Sequence, residues 1–163
     1  MIICGKEKGE EMIISDSYID YVKRTMHSSY TREMAACALI EEVVEFGDAS
    51  SIEDSSIDEL GDVLYQFVVF CITLEVDMSN LAYYEKVPSK MITYITKITS
   101  MYKKNITRGK DIDKVEIIKY LSLIYSLIYG IIKELGFDII EGEAYNMDKL
   151  DRRYKRVNRC QHK

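Results

Sequence analysis

Long apolar stretches alternate with short polar segments along this chain, and the apolar stretches contain few turn-forming residues. A sheet of many strands would need Gly or Pro turns at short intervals, whereas the 163 residues include only eight Gly and one Pro. The pattern therefore predicts an all-α protein. Six helices are expected, over residues 18–26, 32–46, 58–74, 89–104 and 115–135 and from about Glu141 onward.

Cap and turn residues predict where these helices begin and end. Each of the first three helices has two candidate N-cap residues, which are Ser15 or Asp16, Ser29 or Thr31, and Ser56 or Asp58. Gly47 is expected to end the second helix, so that residues 48–57 would form a polar loop of about ten residues. Gly136 is expected to cap the C-terminal end of the fifth helix.

The length and composition fit a single domain over residues 1–163, because 47% hydrophobic residues is ample for one core. Residues 1–14 would be a frayed leader, residues 86–144 would supply extra helices, and residues 155–163 would form a basic tail. The third and fifth helices end in similar sequences. This similarity indicates either a degenerate duplication or two buried helices whose ends happen to be alike.

The cysteines and the apolar runs predict the cellular environment. Cys4, Cys37, Cys71 and Cys160 are far apart and form no CxxC motif, which favours reduced thiols in the cytoplasm. The N-terminal sequence MIICGKEKGEE has no apolar signal-peptide region. The runs FVVFCITL and YLSLIYSLIYGII are shorter than the roughly 20 apolar residues that cross a bilayer. We therefore expect a soluble cytoplasmic protein that contacts no membrane.

Charge is distributed unevenly along the chain. Residues 33–85 contain thirteen Asp and Glu and no Lys, Arg or His, whereas the net charge of the whole chain is −5. The remainder must therefore carry +8, and residues 147–163 alone contain seven Lys or Arg against two Asp. One region thus suits cations and another suits anions, as expected for a site that binds a metal together with phosphates.

Acidic residues interrupt two helices that are otherwise apolar. Glu41, Glu42 and Glu45 share one side of the second helix, and Glu59 and Asp62 share one side of the third. A helix that is apolar almost all round is buried, so these acids should face a cleft between helices. Unpaired buried carboxylates are costly, and a hard divalent cation such as Mg²⁺ or Mn²⁺ would compensate them. Two pairs at i, i+3 spacing on facing helices would converge on one site.

The segments IEEVVEF and DELGDVLYQF together resemble the MazG-like branch of the all-α nucleoside triphosphate pyrophosphohydrolases, whose signature is ExxE, a loop, then ExxD. YVKRT in the first helix and NMDKLDRRY near the C-terminus are similar to further family segments. The segment between residues 85 and 144 is longer than in the short phage-type members. The resemblance implies a four-helix-bundle core with additional helices.

The resemblance also implies a reaction and a set of site residues. The reaction would be hydrolysis of a nucleoside triphosphate to the monophosphate and pyrophosphate, with Mg²⁺ as cofactor and Mn²⁺ as a substitute. The metal ligands would be Glu42, Glu45, Glu59 and Asp62, the base would be Glu41, and the substrate would be held by Asn146, Lys149 and Arg153. A deoxynucleotide substrate, a role in nucleotide-pool control and a homodimer or homotetramer would be in keeping with the family.

Other functions are less well supported by the sequence. Neither histidine belongs to an ExxH pair of a di-iron bundle, and the chain has no P-loop and no GxGxxG motif. The main alternative is a non-catalytic helical binding protein or adaptor with a vestigial metal site. Nucleic acid is an unlikely partner, and if the basic tail did bind it, the affinity would fall steeply with salt.

Overall fold

The chain forms six α-helices and one short 3₁₀ turn in a computed structural model that describes residues 14–49 and 53–160. No strand occurs in these residues, so the all-α prediction is confirmed. The helices are α1 Asp16–Thr25, α2 Arg32–Ala49, α3 Glu53–Thr73, α4 Met91–Arg108, α5 Lys114–Glu134 and α6 Ile139–Cys160. The 3₁₀ turn, Met78–Asn80, lies between α3 and α4.

Several predicted helix ends are confirmed. The Ser15 hydroxyl accepts a hydrogen bond from the Tyr18 N–H at the start of α1, and the Thr31 hydroxyl accepts one from the Met34 N–H at the start of α2. Gly136 follows α5 with φ of 84°, a conformation that costs a glycine little. Its N–H donates to the Lys133 carbonyl, which satisfies one of the last free acceptors of the helix.

The predicted boundary between the second and third helices is wrong. Gly47 lies inside α2, which continues to Ala49, and α3 already begins at Glu53. The expected ten-residue loop is therefore wrong at both ends, and neither Ser56 nor Asp58 precedes the helix. Residues 50–52 lie outside the described residues. Acidic residues in the first turn of a helix interact favourably with its dipole, so the polar sequence after residue 52 is compatible with a helix.

The fourth helix also differs from its prediction, since it begins at Met91 rather than 89 and ends at Arg108 rather than 104. Gly109 ends it in the left-handed conformation, with φ of 62°, and donates its N–H to the Asn105 carbonyl. Of the predicted leader, Ile14 is buried in the core, and residues 1–13 lie outside the described residues. At the other end, α6 extends into the predicted basic tail as far as Cys160.

The core is built around α3, which packs against α1, α2, α5 and α6. Its apolar side chains are buried on several sides, and Phe67 stacks on Tyr125 of α5 with 6.2 Å between ring centroids. A helix enclosed in this way has no open face for solvated acids. The acidic stripe of α3 must therefore face a neighbouring helix.

The apolar helix α5 is long and apolar enough to cross a membrane by length and composition, contrary to the expectation from its sequence. Within its most apolar window, however, 56% is buried inside the protein. Such burial is typical of the core helix of a globular protein. A segment before α4 also runs along α5, where the Ala82 and Tyr84 N–H groups donate to the hydroxyls of Ser122 and Ser126.

Candidate active site

Three carboxylates from α2 and α3 meet at one point. Glu42 and Glu45 of α2 and Glu59 of α3 each offer an oxygen atom, and these oxygens all lie within 4.8 Å of one another. Glu42 and Glu59 are half-buried, and Glu45 is exposed. Three carboxylate oxygens at this separation form a donor set that fits a hard divalent cation.

The protonation of Glu42 reflects this crowding. The pKa of Glu42 is raised to about 7, chiefly by burial and then, in decreasing order, by the negative charges of Asp62, Glu45, Glu59 and Glu41. All these effects have the same sign because no positive charge counters them at this carboxyl. A bound cation would supply that charge.

Asp62, the fourth predicted ligand, lies next to the cluster but is held from the other side by α6. The Lys149 ammonium donates to Asp62 Oδ2 at 2.8 Å, and the Asn146 amide donates to Asp62 Oδ1 at 3.3 Å. The Lys149 and Asp62 side chains are only 10% and 15% exposed. Lys149 also donates to the Asp58 carbonyl oxygen at 2.8 Å, which joins it to the first part of α3.

The predicted substrate residues thus surround Asp62. Arg153 Nη1 lies 3.8 Å from Asp62 Oδ2, and its side chain is 61% exposed. Asn146, in contrast, is fully buried. Glu41, the predicted base, is exposed on α2 and contributes to the negative field at Glu42. The site therefore has an anionic half on α2 and α3 and a cationic half on α6.

Two further residues shape the site, and neither was predicted from the sequence. Tyr18 of α1 is fully buried, and its hydroxyl donates to Asn146 Oδ1 at 2.8 Å. Gly61 of α3 lies against the same amide, since a Cβ built there would be 3.0 Å from Asn146 Nδ2. A glycine inside a buried helix often marks such a close approach, so Gly61 was the available signal. Nothing in the sequence near Tyr18 indicated its partner.

Gly61→Ala is expected to destabilise the protein by about 1–3 kcal/mol, because the new methyl group would press on the buried Asn146 amide. Gly130→Ala is the matched control. It also lies inside a helix, but a Cβ there meets no atom within 4 Å. The control should stabilise the protein by about 0.5–1 kcal/mol through helix propensity. Urea denaturation measures both values, and equal effects at the two positions would contradict this account.

Metal affinity is expected to depend on pH through Glu42. Because its pKa is raised to about 7, a cation must displace a proton below that pH. The apparent affinity for Mn²⁺ should therefore rise about tenfold per pH unit below neutrality and level off above it. Calorimetric titration between about pH 5.5 and 8 measures this dependence. An affinity that stays constant over this range would exclude Glu42 as a ligand.

The raised pKa of Glu42 also predicts how the stability of the metal-free protein depends on pH. The pKa of Glu42 is about 7 in the folded protein against 4.5 for an ordinary glutamate, so the folded state binds more protons between these values. The free energy of unfolding contributed by this group is therefore fully present below about pH 4.5 and is lost as the pH rises to about 7.

An apolar cavity of about 250 Å³ lies at the opposite end of α2, and Arg32, Phe70, Tyr102 and Ile106 are among its lining residues. Arg32 and Glu42 are separated by about 15 Å along the helix at 1.5 Å per residue. None of the cavity's lining residues belongs to the acidic cluster. The carboxylates and their partners on α6, rather than this cavity, therefore form the candidate active site.

Comparison with known protein families indicates the class to which this helical fold and acidic cluster belong. Residues 16–86 match the family model for phosphoribosyl-ATP pyrophosphohydrolase (PRA-PH). This part of the chain is thus a PRA-PH domain, which belongs to the MazG-like all-α nucleoside triphosphate pyrophosphohydrolase superfamily. The family acts on nucleotides as a pyrophosphohydrolase and typically depends on a divalent metal.

The matched region contains the whole acidic cluster and ends before α4. Asn146, Lys149 and Arg153 therefore lie outside it, and their roles stay predictions. No significant match was found among curated proteins or among solved structures.

Proposed function

We propose that this protein hydrolyses nucleoside triphosphates at the α-phosphorus and releases a nucleoside monophosphate and pyrophosphate. The observation that carries the proposal is the convergence of Glu42, Glu45 and Glu59 within a pyrophosphohydrolase domain, opposite two basic residues of α6. Together with Asp62, these carboxylates would hold Mg²⁺, and Mn²⁺ would substitute for it.

A divalent cation, when bound, supplies positive charge for the phosphate oxygens and activates water for attack. Glu41 is exposed beside the cluster and would accept the proton of the attacking water. The water oxygen forms a bond to the α-phosphorus, and the bond to the bridging oxygen of the leaving pyrophosphate breaks. The exposed Arg153 guanidinium would stabilise the charge that develops on the leaving pyrophosphate.

The other two predicted substrate residues already make hydrogen bonds within the protein. Lys149 is already paired with Asp62, so a phosphate would have to share or replace this contact. Asn146 is fully buried and bonded on both sides of its amide. In this structure Asn146 would therefore support the reaction by holding Asp62 rather than by contacting the substrate.

Two substrate classes fit the proposal. Our first choice is a deoxynucleoside triphosphate, which the protein would hydrolyse to control nucleotide pools. We further propose that the protein is soluble and cytoplasmic, forms a homodimer or homotetramer, and works without nucleic acid. Phosphoribosyl-ATP is the second candidate, and the match of residues 16–86 to the PRA-PH family favours it. Both substrates present a polyphosphate to the same carboxylates.

Incubation with a panel of ribonucleotides, deoxynucleotides and phosphoribosyl-ATP in the presence of Mg²⁺ or Mn²⁺ tests the proposal. Chromatography detects the monophosphate product, and a coupled assay detects pyrophosphate. We expect both products in equal amounts and none after chelation of the metal. If the protein binds the metal but cleaves no member of the panel, it is instead a binding protein with a vestigial metal site.

A further inference from the structure

A seam of polar contacts joins α1 to α6 along their length. At its start, the Ser15 N–H and hydroxyl both donate to the buried carboxylate of Glu143. One turn further on, the Tyr18 hydroxyl donates to Asn146. At the next turn, the Tyr21 hydroxyl donates to Asp151 at 3.0 Å. Partners in the seam are 128 to 130 residues apart in sequence, so the contacts set the register between two distant segments.

The middle contact of this seam is the one that reaches the acidic site. Asn146 accepts from Tyr18 through Oδ1 and donates to Asp62 through Nδ2. An ionised carboxylate can only accept, so the Asp62 side requires the amide nitrogen and leaves the amide oxygen for Tyr18. Burial raises the pKa of Tyr18 well above its usual value, so its hydroxyl remains a donor.

The Asn146 amide has little freedom to adopt another orientation. The side chain is fully buried, and it packs so closely on the backbone of Gly61 that a Cβ there would lie 3.0 Å from the amide nitrogen. A buried polar group that loses its hydrogen-bond partner costs free energy, so each hydrogen bond in this series stabilises the next one. The contacts extend from Tyr18 through Asn146 to Asp62, whose other oxygen is held by Lys149.

We propose that Tyr18 is a positioning residue for the metal site, because its hydroxyl fixes the Asn146 amide and this amide holds Asp62 in place. The inference rests on the proposed function, since it assigns Asp62 to a metal site. Tyr18 acts through two other side chains and touches neither the substrate nor the ion. Residues that orient metal ligands in this way are typically worth 10–100-fold in metal affinity.

Tyr18→Phe tests this role, and Tyr21→Phe is its matched control. Each substitution removes one hydroxyl from α1 that donates to α6. The Tyr18 hydroxyl donates to the Asn146 amide, whereas the Tyr21 hydroxyl donates to the exposed Asp151 carboxylate and to the Met147 carbonyl. Mn²⁺ binding is measured by titration without nucleotide, so the readout does not need activity. We expect Tyr18→Phe to raise the dissociation constant about tenfold and Tyr21→Phe to change it by less than about twofold.

A second variant and an NMR measurement show whether weaker Mn²⁺ binding results from the Asn146 amide or from misfolding. Gly61→Ala presses on the same amide from α3 and should weaken Mn²⁺ binding to a similar extent. In nitrogen-15 NMR spectra, the Asn146 side-chain amide should shift strongly in Tyr18→Phe and stay near its wild-type position in Tyr21→Phe.

Several outcomes would overturn the inference. One is unchanged Mn²⁺ affinity in Tyr18→Phe or in Gly61→Ala, and another is equal weakening by the two tyrosine variants, which would indicate a purely structural effect. A wild-type protein that binds Mn²⁺ but hydrolyses no nucleotide would refute the proposed function alone. A wild-type protein that binds no Mn²⁺ would overturn both.

Discussion

Glu42→Gln should abolish nucleotide hydrolysis while leaving the folded protein at least as stable as the wild type. Glu42 lies at the centre of the acidic cluster, where burial and four neighbouring acids oppose its ionisation. The neutral amide removes this repulsion above pH 7, so the thermal unfolding midpoint of the metal-free protein should stay constant or rise. The loss of a ligand should lower kcat/KM at least about a hundredfold, since even the outer partners of ligands are worth 10–100-fold.

Glu33→Gln is the control for this variant. Glu33 lies on the same helix with its side chain 61% exposed, and it pairs with Arg32 at the surface. Its substitution should change the unfolding free energy by less than about 0.5 kcal/mol and should leave hydrolysis intact. Steady-state kinetics and thermal denaturation provide both readouts. A Glu42→Gln enzyme with wild-type kinetics would refute the placement of the metal site.

Lys149→Met should destabilise the metal-free protein by about 2–3 kcal/mol, because the largely buried Asp62 carboxylate loses its closer cation and keeps only the exposed Arg153 at 3.8 Å. Asp62 is 15% exposed and receives its shortest contact from Lys149 at 2.8 Å. Removing one member of a buried ion pair typically costs about 3–5 kcal/mol, and the partial exposure of this site reduces that value. Urea denaturation with added chelator measures the effect.

The double variant Asp62→Asn with Lys149→Met separates the ion pair from the packing of each side chain. It should recover most of the stability that Lys149→Met loses, because no uncompensated charge remains. Lys23→Met provides a surface control, since Lys23 and Asp20 are 56% and 70% exposed and their pairing should contribute less than about 1 kcal/mol. Additive losses in the double variant would show that Lys149 and Asp62 do not depend on each other.

The helical fold was predictable because long apolar stretches without turn residues admit few alternatives, and the cap residues Ser15 and Thr31 marked two helix starts correctly. The error around Gly47 has a local cause. Glycine and a run of Asp and Ser usually indicate a loop, but a helix accepts them at an exposed end, and α2 continues to Ala49. Propensity alone could not distinguish these cases.

The anionic half of the site was predictable for a different reason. The i, i+3 spacing of Glu42 and Glu45 follows directly from helix geometry, and only the facing of α2 and α3 had to be assumed. The counter-charge of Asp62 was not predictable in this way. The residues near Asp62 in sequence contain no cation, and Lys149 arrives from 87 positions away through the packing of α6. Contacts of this range depend on the tertiary fold.

Hydrolysis in water labelled with oxygen-18 tests the central claim most directly. A deoxynucleoside triphosphate is incubated with the protein and Mg²⁺, and the products are analysed by mass spectrometry. If water attacks the α-phosphorus, the label appears in the nucleoside monophosphate and the released pyrophosphate carries none. Label in pyrophosphate or in inorganic phosphate would place the attack on another phosphorus and would contradict the proposed reaction.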